Sequence, residues 1–337
     1  MIKIDEKNIV KKEFITVDFF FNAIREKFKL DIFTDGSGFD RKIYEQNLHR
    51  PGLALAGFVE LFSYTRVQIF GNTEMKYLNQ LSKSLRIEAL KRIFQFNIPC
   101  IIFTDGNHPF PEMIELANEF HISMFGSKSS TTKISYLVSD FLDDQFAPRV
   151  SIHGSFMDVY GIGMLFVGKS GIGKSEVALD LVERGHRLVA DDVIIVTKKG
   201  EGILIGSGTE LVKHFMEIRG IGIIDVKSMF GVRAIRFQKR LEVIVELEVW
   251  DDQAEYTRTG LDDKYTSILD VEIPYIKLPI LPGKNITVIS EVIALNYLLK
   301  HYGYEPAKIF QKRLEEKLNN IKIEDKRFVD YFEHDFE

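Results

Sequence analysis

The run Gly168-Lys169-Ser170-Gly171-Ile172-Gly173-Lys174-Ser175 meets the pattern G-x-x-x-x-G-K-[ST] at every fixed position. Glycines at these spacings let successive backbone N–H groups turn toward one anion, and a helix starting just after them adds its positive end. In that pattern the lysine, here Lys174, reaches the outer phosphates of a nucleotide and the hydroxyl of Ser175 sits on Mg²⁺. The competing reading is a glycine-rich turn ahead of an ordinary helix. The flanks favour the phosphate loop: "MLFV" before Gly168 is strand-like, and "SEVALDLVER" after it is helical up to a stop at Gly185.

A phosphate loop does not by itself say whether the phosphoryl group is hydrolysed, transferred or used to drive motion. Asp191 and Asp192 bear on that, because they follow Lys174 by only 17 and 18 residues, across one helix and one short strand. In a parallel sheet the next strand would bring its C-terminal end back beside the loop. Two carboxylates there could hold Mg²⁺ and accept a proton from an attacking group; the alternative is a polar turn inside an apolar run. His153, in "SIHGS", falls at the end of a strand leading to the loop, and spacing alone leaves it either structural or part of the site. "MEIRGIGIIDV" places Glu217 and Arg219 ahead of glycines, which suits a tightly turned loop carrying a metal ligand, although both residue types are common at surfaces.

These residues need elements to position them. Residues 17–28, 73–94, 111–120 and 132–146 carry helix-period apolar faces, and "IPCIIFTDG" reads as a buried strand ending in a turn. After "APR" (147–149) the texture changes to strands and glycines. "VSIHGSFMDVYGIGMLFVG" suggests three short strands with turns near Gly154 and Tyr160-Gly161. "HRLVADDVIIV" reads as one or two strands broken by the aspartates, "LEVIVELEVW" alternates as a strand, and residues 286–318 read as two helices parted around Gly303 and Pro306. A boundary near residues 140–150 divides the chain into an N-terminal α/β domain, 1–145, and a phosphate-loop domain, 146–337.

The composition excludes several classes. A net charge of -5 and the lack of a basic run interleaved with aromatics argue against a nucleic-acid partner. No apolar run approaches the roughly 20 residues that span a bilayer, and residues 1–30 lack a signal-peptide pattern, so a cytoplasmic protein with no membrane partner is expected. The lone cysteine, Cys100, lies in an apolar run and reads as a buried hydrophobe rather than a nucleophile. Neither H-E-x-x-H nor C-x-x-C zinc spacing occurs.

Taken together the motifs resemble the HPr kinase/phosphorylase family, nearly end to end. The first domain shares "HRPGLALAGF", "RVQIFGNTEMKYL" and "PCIIFTDG". The second shares the whole of "APRVSIHGSFMDVYGIGMLFVGKSGIGKSEVALDLVERGHRLVADD", then "EIRGIGIIDV" and "GKNITVISEVIALNYLLKHYGY". The resemblance implies an α/β fold with a carboxykinase-like phosphate-loop domain followed by C-terminal helices, assembled as a homohexamer. It implies phosphorylation of a regulatory serine of the phosphocarrier HPr with ATP and Mg²⁺, and removal of that group by inorganic phosphate, releasing pyrophosphate. It places His153, Lys174, Asp192 and Arg258 in the catalytic positions, Gly168–Ser175 at the nucleotide, and Ser175 and Glu217 on Mg²⁺, beside the Asp191 carboxylate that spacing suggested. Met216–Asp225 matches a region used in both reactions, and Pro279–Lys284 one used in dephosphorylation. One departure stands out: where an Arg-Pro-Gly-Arg core is expected, this chain has Leu281-Pro282-Gly283-Lys284, which removes bidentate phosphate contacts. Competing classes are a metabolite kinase built on the same loop and an ATP-driven switch. A second nucleotide-responsive motif would mark the switch, and none is present.

Overall fold

The computed structural model describes residues 9–200, 202–209, 213–251, 264–281 and 283–321. Among these, two compact units separate: one comprises 9–150 with 197–200, the other 151–196 and the described residues from 202 onward.

The first unit is built on a five-stranded sheet in the order Asp31–Ile32, Ser123–Gly126, Cys100–Phe103, Val67–Phe70, Leu48–His49. The last four run parallel and the Asp31–Ile32 edge strand antiparallel. Three strands are buried at all four positions, as expected of strands covered on both faces. One face packs Phe20, Phe21 and Ile24 of the helix Val17–Phe28 with Ile134, Val138 and Leu142 of the helix Thr131–Phe146. The other packs Leu78, Leu90, Phe94 and Met113. The helical stretch 73–94 is two helices, Asn72–Gln80 and Lys83–Phe94, because Ser82 caps the second by accepting a hydrogen bond from the Leu85 N–H. Cys100 is fully buried, and burial pushes its thiol pKa up, in keeping with a structural residue.

The second unit departs from a purely parallel sheet. Its strands lie in the order Gln238–Arg240, Ile203–Gly208, Arg187–Lys199, Arg149–Val159, Ile162–Gly168, Val243–Val249, Val271–Ile280, Tyr265–Ile268. The loop strand Ile162–Gly168 pairs parallel with Val243–Val249 and antiparallel with Arg149–Val159. The expected three strands before the loop are two, because Arg149–Val159 runs straight through Gly154 and only Tyr160-Gly161, both at positive φ, makes a turn. His153 therefore lies within a strand rather than at its end. Met164 and Phe166, with Val243, Val245 and Leu247, pack against Val177, Ala178 and Leu181 of the loop helix Lys174–Glu183.

The helix Ile286–His301 is tied to the loop helix by charge as well as by packing. Arg184 forks onto Glu291 with contacts of 2.9 and 2.6 Å, His186 Nε2 meets the same carboxylate at 2.9 Å, and Thr287 donates to Asp180 at 3.2 Å. The Arg184 hydrogen bond is the main cause holding the Glu291 carboxyl below its ordinary pKa. A carboxylate lowered in this way adds stability above the ordinary glutamate value of about 4.3 and loses it as pH falls.

Two outcomes are expected. Glu291→Ala should cost about 2 kcal/mol at pH 7, less than a fully buried pair because Arg184 is half-exposed. The gap in Tm from the wild type should close as pH drops below about 4.3, read from melting curves across pH 3–7. Gly163→Ala should be worse tolerated, since a Cβ there would lie 1.8 Å from the Arg240 carbonyl oxygen. A loss on the order of 3 kcal/mol is expected in urea titration.

Candidate functional site

The loop is shaped by glycines at positive φ: Gly168 at 142°, Gly171 at 79° and Gly173, the residue before the helix, at 101°. At Gly168 a Cβ would sit 2.4 Å from the Leu247 carbonyl oxygen, so the neighbouring strand also requires glycine there. Lys174 Nζ folds back onto the loop, donating to the carbonyls of Gly168 at 3.3 Å and Lys169 at 3.2 Å. Arg219 reaches across from the turn after the strand Phe215–Ile218. Its Nη2 lies 3.4 Å from Ser170 Oγ, and its guanidinium lies 2.5 Å from where a Gly171 Cβ would stand. Two cations thus attend a loop whose N–H groups and helix start already favour an anion.

The aspartates join the loop through one buried carboxylate. Asp191 is 3% exposed; it accepts a hydrogen bond from Ser175 Oγ at 2.9 Å and another from Ser155 Oγ at 2.5 Å. Burial raises its pKa despite those hydroxyls, which pull the other way. Ser155 closes the "SIHGS" stretch that drew attention through His153, and only its partners identify its own role. The pair does not stand at a strand's C-terminal end, as a parallel arrangement would have it. Both residues lie in the first half of Arg187–Lys199, with Arg149–Val159 between that strand and the loop strand.

Neighbouring residues of a regular strand point to opposite faces. Asp192 escapes that rule with φ of 67°, a left-handed conformation that aspartate tolerates better than most residues. Asp191 and Asp192 can then both meet the strand Arg149–Val159: Asp191 at Ser155, and Asp192 at His153, whose Nδ1 lies 3.6 Å from Asp192 Oδ1. Both partners of this second contact are largely exposed, so it orients more than it stabilises.

Of the other residues singled out, Lys169, Ser170, Gly171, Ile172 and Gly173 form the loop itself. Glu217 is exposed on a hairpin, Phe215–Ile218 with Gly222–Asp225, and no hydrogen bond among the described residues joins it to Ser175 or Asp191. Arg258 and Pro282 lie outside the described residues. The oxygen donors of Ser175 and Asp191 suit a hard divalent cation, although among the described residues no cluster of three or more His, Cys, Asp or Glu side chains forms. No helix among them is long and apolar enough to cross a membrane.

Fold and site define a two-unit mixed α/β protein whose second unit presents a strand, a glycine loop and a helix against a pair of aspartates. The model of the HPr Serine kinase C-terminal domain matches residues 144–314, and that of the HPr Serine kinase N terminus matches 19–142. The HPr kinase/phosphorylase of Chloroherpeton thalassium is 54% identical over 337 residues, covering 98% of this chain and 99% of that one. That of Prosthecochloris aestuarii is 52% identical, covering 95% and 94%. A solved structure described as the Hpr(Ser) kinase/phosphatase from Coxiella burnetii is 35% identical with a TM-score of 0.42, covering 48% of this chain and 97% of that one. The chain belongs to the HPr kinase/phosphorylase family.

A raised carboxyl pKa means that the folded protein holds this proton more tightly than the unfolded chain does. Asp191 therefore favours the fold at low pH and works against it once pH passes the ordinary carboxylate range. Asp191→Asn should raise the Tm at pH 7 by roughly 2–4 °C, the effect of about 1 kcal/mol in a domain of this size. Calorimetry at pH 7 and pH 4 checks it, the gain shrinking at the lower pH.

Proposed function

We propose that this chain carries both activities named in its relatives: transfer of a phosphoryl group from ATP to a serine of HPr, and its removal by inorganic phosphate with release of pyrophosphate. The observation that carries the reading is the Ser175–Asp191 hydrogen bond of 2.9 Å, which seats the aspartate pair against the glycine loop. In this reading residues 1–145 form the N-terminal domain and 146–337 a carboxykinase-like catalytic domain.

Loop N–H groups and the helix start would hold the outer phosphates, and Lys174 would leave the Gly168 and Lys169 carbonyls for them. Ser175 and Asp191 would hold Mg²⁺, with Glu217 completing the set once its hairpin moves. The bound ion supplies charge neutralisation at the transferring group. Asp192 would take the proton from the HPr serine hydroxyl as its oxygen attacks phosphorus, and return that proton when inorganic phosphate takes the group away. His153 would orient Asp192 or the phosphate, a reading supported by its 3.6 Å approach to the Asp192 carboxylate. Arg219, over Gly171, and Arg258 would offset negative charge on the phosphoryl oxygens.

Leu281 and Lys284 stand where the resemblance leads one to expect arginines, so the phosphate-driven direction should be the weaker one here. A cytoplasmic hexamer belongs to the same reading. It is supported by an exposed apolar stripe, Val288, Val292, Leu295 and Leu299, along the helix Ile286–His301, a surface that a second copy would cover.

Incubating the protein with HPr, Mg²⁺ and either ATP or phosphate, and weighing HPr by intact mass, tests the whole. A gain of one phosphate with ATP and its loss with phosphate are expected; no change in either direction would sink the reading. Asp192→Asn should retain ATP binding while transfer falls about 10²–10⁴-fold. Transfer at the wild-type rate in that variant would remove Asp192 from its role.

A further inference from the structure

His153 and Ser155 lie two positions apart on the strand Arg149–Val159, so their side chains stand on the same face of it. Each meets one member of the aspartate pair. His153 is exposed and lies beside Asp192, whereas Ser155 is fully buried and its hydroxyl donates to Asp191 Oδ1 at 2.5 Å. Among the described residues that hydroxyl has no other partner.

The backbone leaves Ser155 little room to shift. It stands opposite Phe166 of the loop strand, two residues before Gly168, in an antiparallel ladder. At the preceding residue, Gly154, a Cβ would lie 2.3 Å from the Phe166 carbonyl oxygen, so the two strands are in close contact there. Ser155 is therefore held in place by the strand that ends in the phosphate loop.

Asp191 needs such a fixed neighbour. The carboxylate torsion of an aspartate is broad, and rotation about it exchanges the oxygen that faces a given donor. With Oδ1 held by Ser155, Oδ2 stays 2.9 Å from Ser175 Oγ. The Ser175 proton then points at the carboxylate, and its two lone pairs point elsewhere, where a cation can take one. We propose that Ser155 is a positioning residue for the cation site, an assignment that rests on the reading of Ser175 and Asp191 as Mg²⁺ ligands. Its hydroxyl fixes the rotation of Asp191 and, through it, the separation of the two oxygen donors. Ser155 touches neither cation nor substrate; it stands behind a ligand, where such partners orient the ligand and set its affinity.

The test is Mn²⁺ binding to the full chain without nucleotide, read from the paramagnetic resonance of the free ion. Wild type, Ser155→Ala and Ser155→Thr are compared, and a cooperative melt in each shows that it is folded. Ser155→Ala should raise the Mn²⁺ Kd about tenfold or more, the loss usual for a partner behind a metal ligand. Ser155→Thr keeps the hydroxyl on a residue suited to strands and should hold the Kd within about threefold of the wild type. A serine that only fills the strand would lower the Tm of Ser155→Ala and leave its Mn²⁺ Kd unchanged, which would overturn the assignment. Equal weakening in the alanine and threonine variants would overturn it as well. A wild-type protein that binds no Mn²⁺ would instead overturn the cation reading, and the role of Ser155 with it.

Discussion

One buried carboxylate holds the second unit's chemistry in place. Asp191 draws a hydroxyl from the strand before the loop, Ser155, and one from the first turn of the helix after it, Ser175. A charged acceptor in a site with little water makes each of these bonds stronger than a neutral pair and makes the site costly if either is lost. The cost of burial appears in the raised pKa of Asp191. The next residue absorbs a second cost, since a non-glycine residue in the left-handed region is worth about 1–3 kcal/mol of strain. Both burdens fall at the point where two acidic side chains must face the same way, which is where strain stored for function is expected.

The loop helix is fixed at both ends. Its start is determined by Gly173 and the Ser175–Asp191 bond; its end by Arg184 and His186 on Glu291. Between them Val177, Ala178 and Leu181 fill the core against the sheet. A phosphate site needs donors that do not reorganise when charge arrives, and a helix held in this way supplies them. By contrast, the charged side chains around the loop are less buried: Lys174 is half-buried, and Arg219, His153 and Asp192 are exposed. Lys174 rests on backbone carbonyls, Arg219 on a serine hydroxyl, and His153 and Asp192 touch at 3.6 Å in solvent. The helix is held by buried contacts, whereas the side chains that would meet substrate are held by few and long ones.

Local rules account for much of what the residues announce. Gly168 to Ser175 declare an anion loop because glycine spacing and a following helix are properties of short segments. The helix Val17–Phe28 and the pair Ile286–His301 and Pro306–Ile321 follow from apolar periodicity and from the break at Gly303 and Pro306. The split of 73–94 into two helices follows from a cap at Ser82 that an unbroken apolar period conceals. The neighbourhood of Asp191 and Asp192 to the loop is visible as an interval along the chain, but not the route by which they arrive. A parallel return and the observed strand placement have the same period-2 signature.

Tertiary structure alone decided the rest. Ser155 sits in the "SIHGS" stretch, yet its own role exists only when a strand thirty-six residues away lies beside it. The agreement of Asp191 and Asp192 on one face depends on a single φ, which composition does not encode. Residue type and spacing determined that an anion would be bound and by which segment. Which groups surround it was decided by long-range packing, where burial, not local propensity, sets each partner.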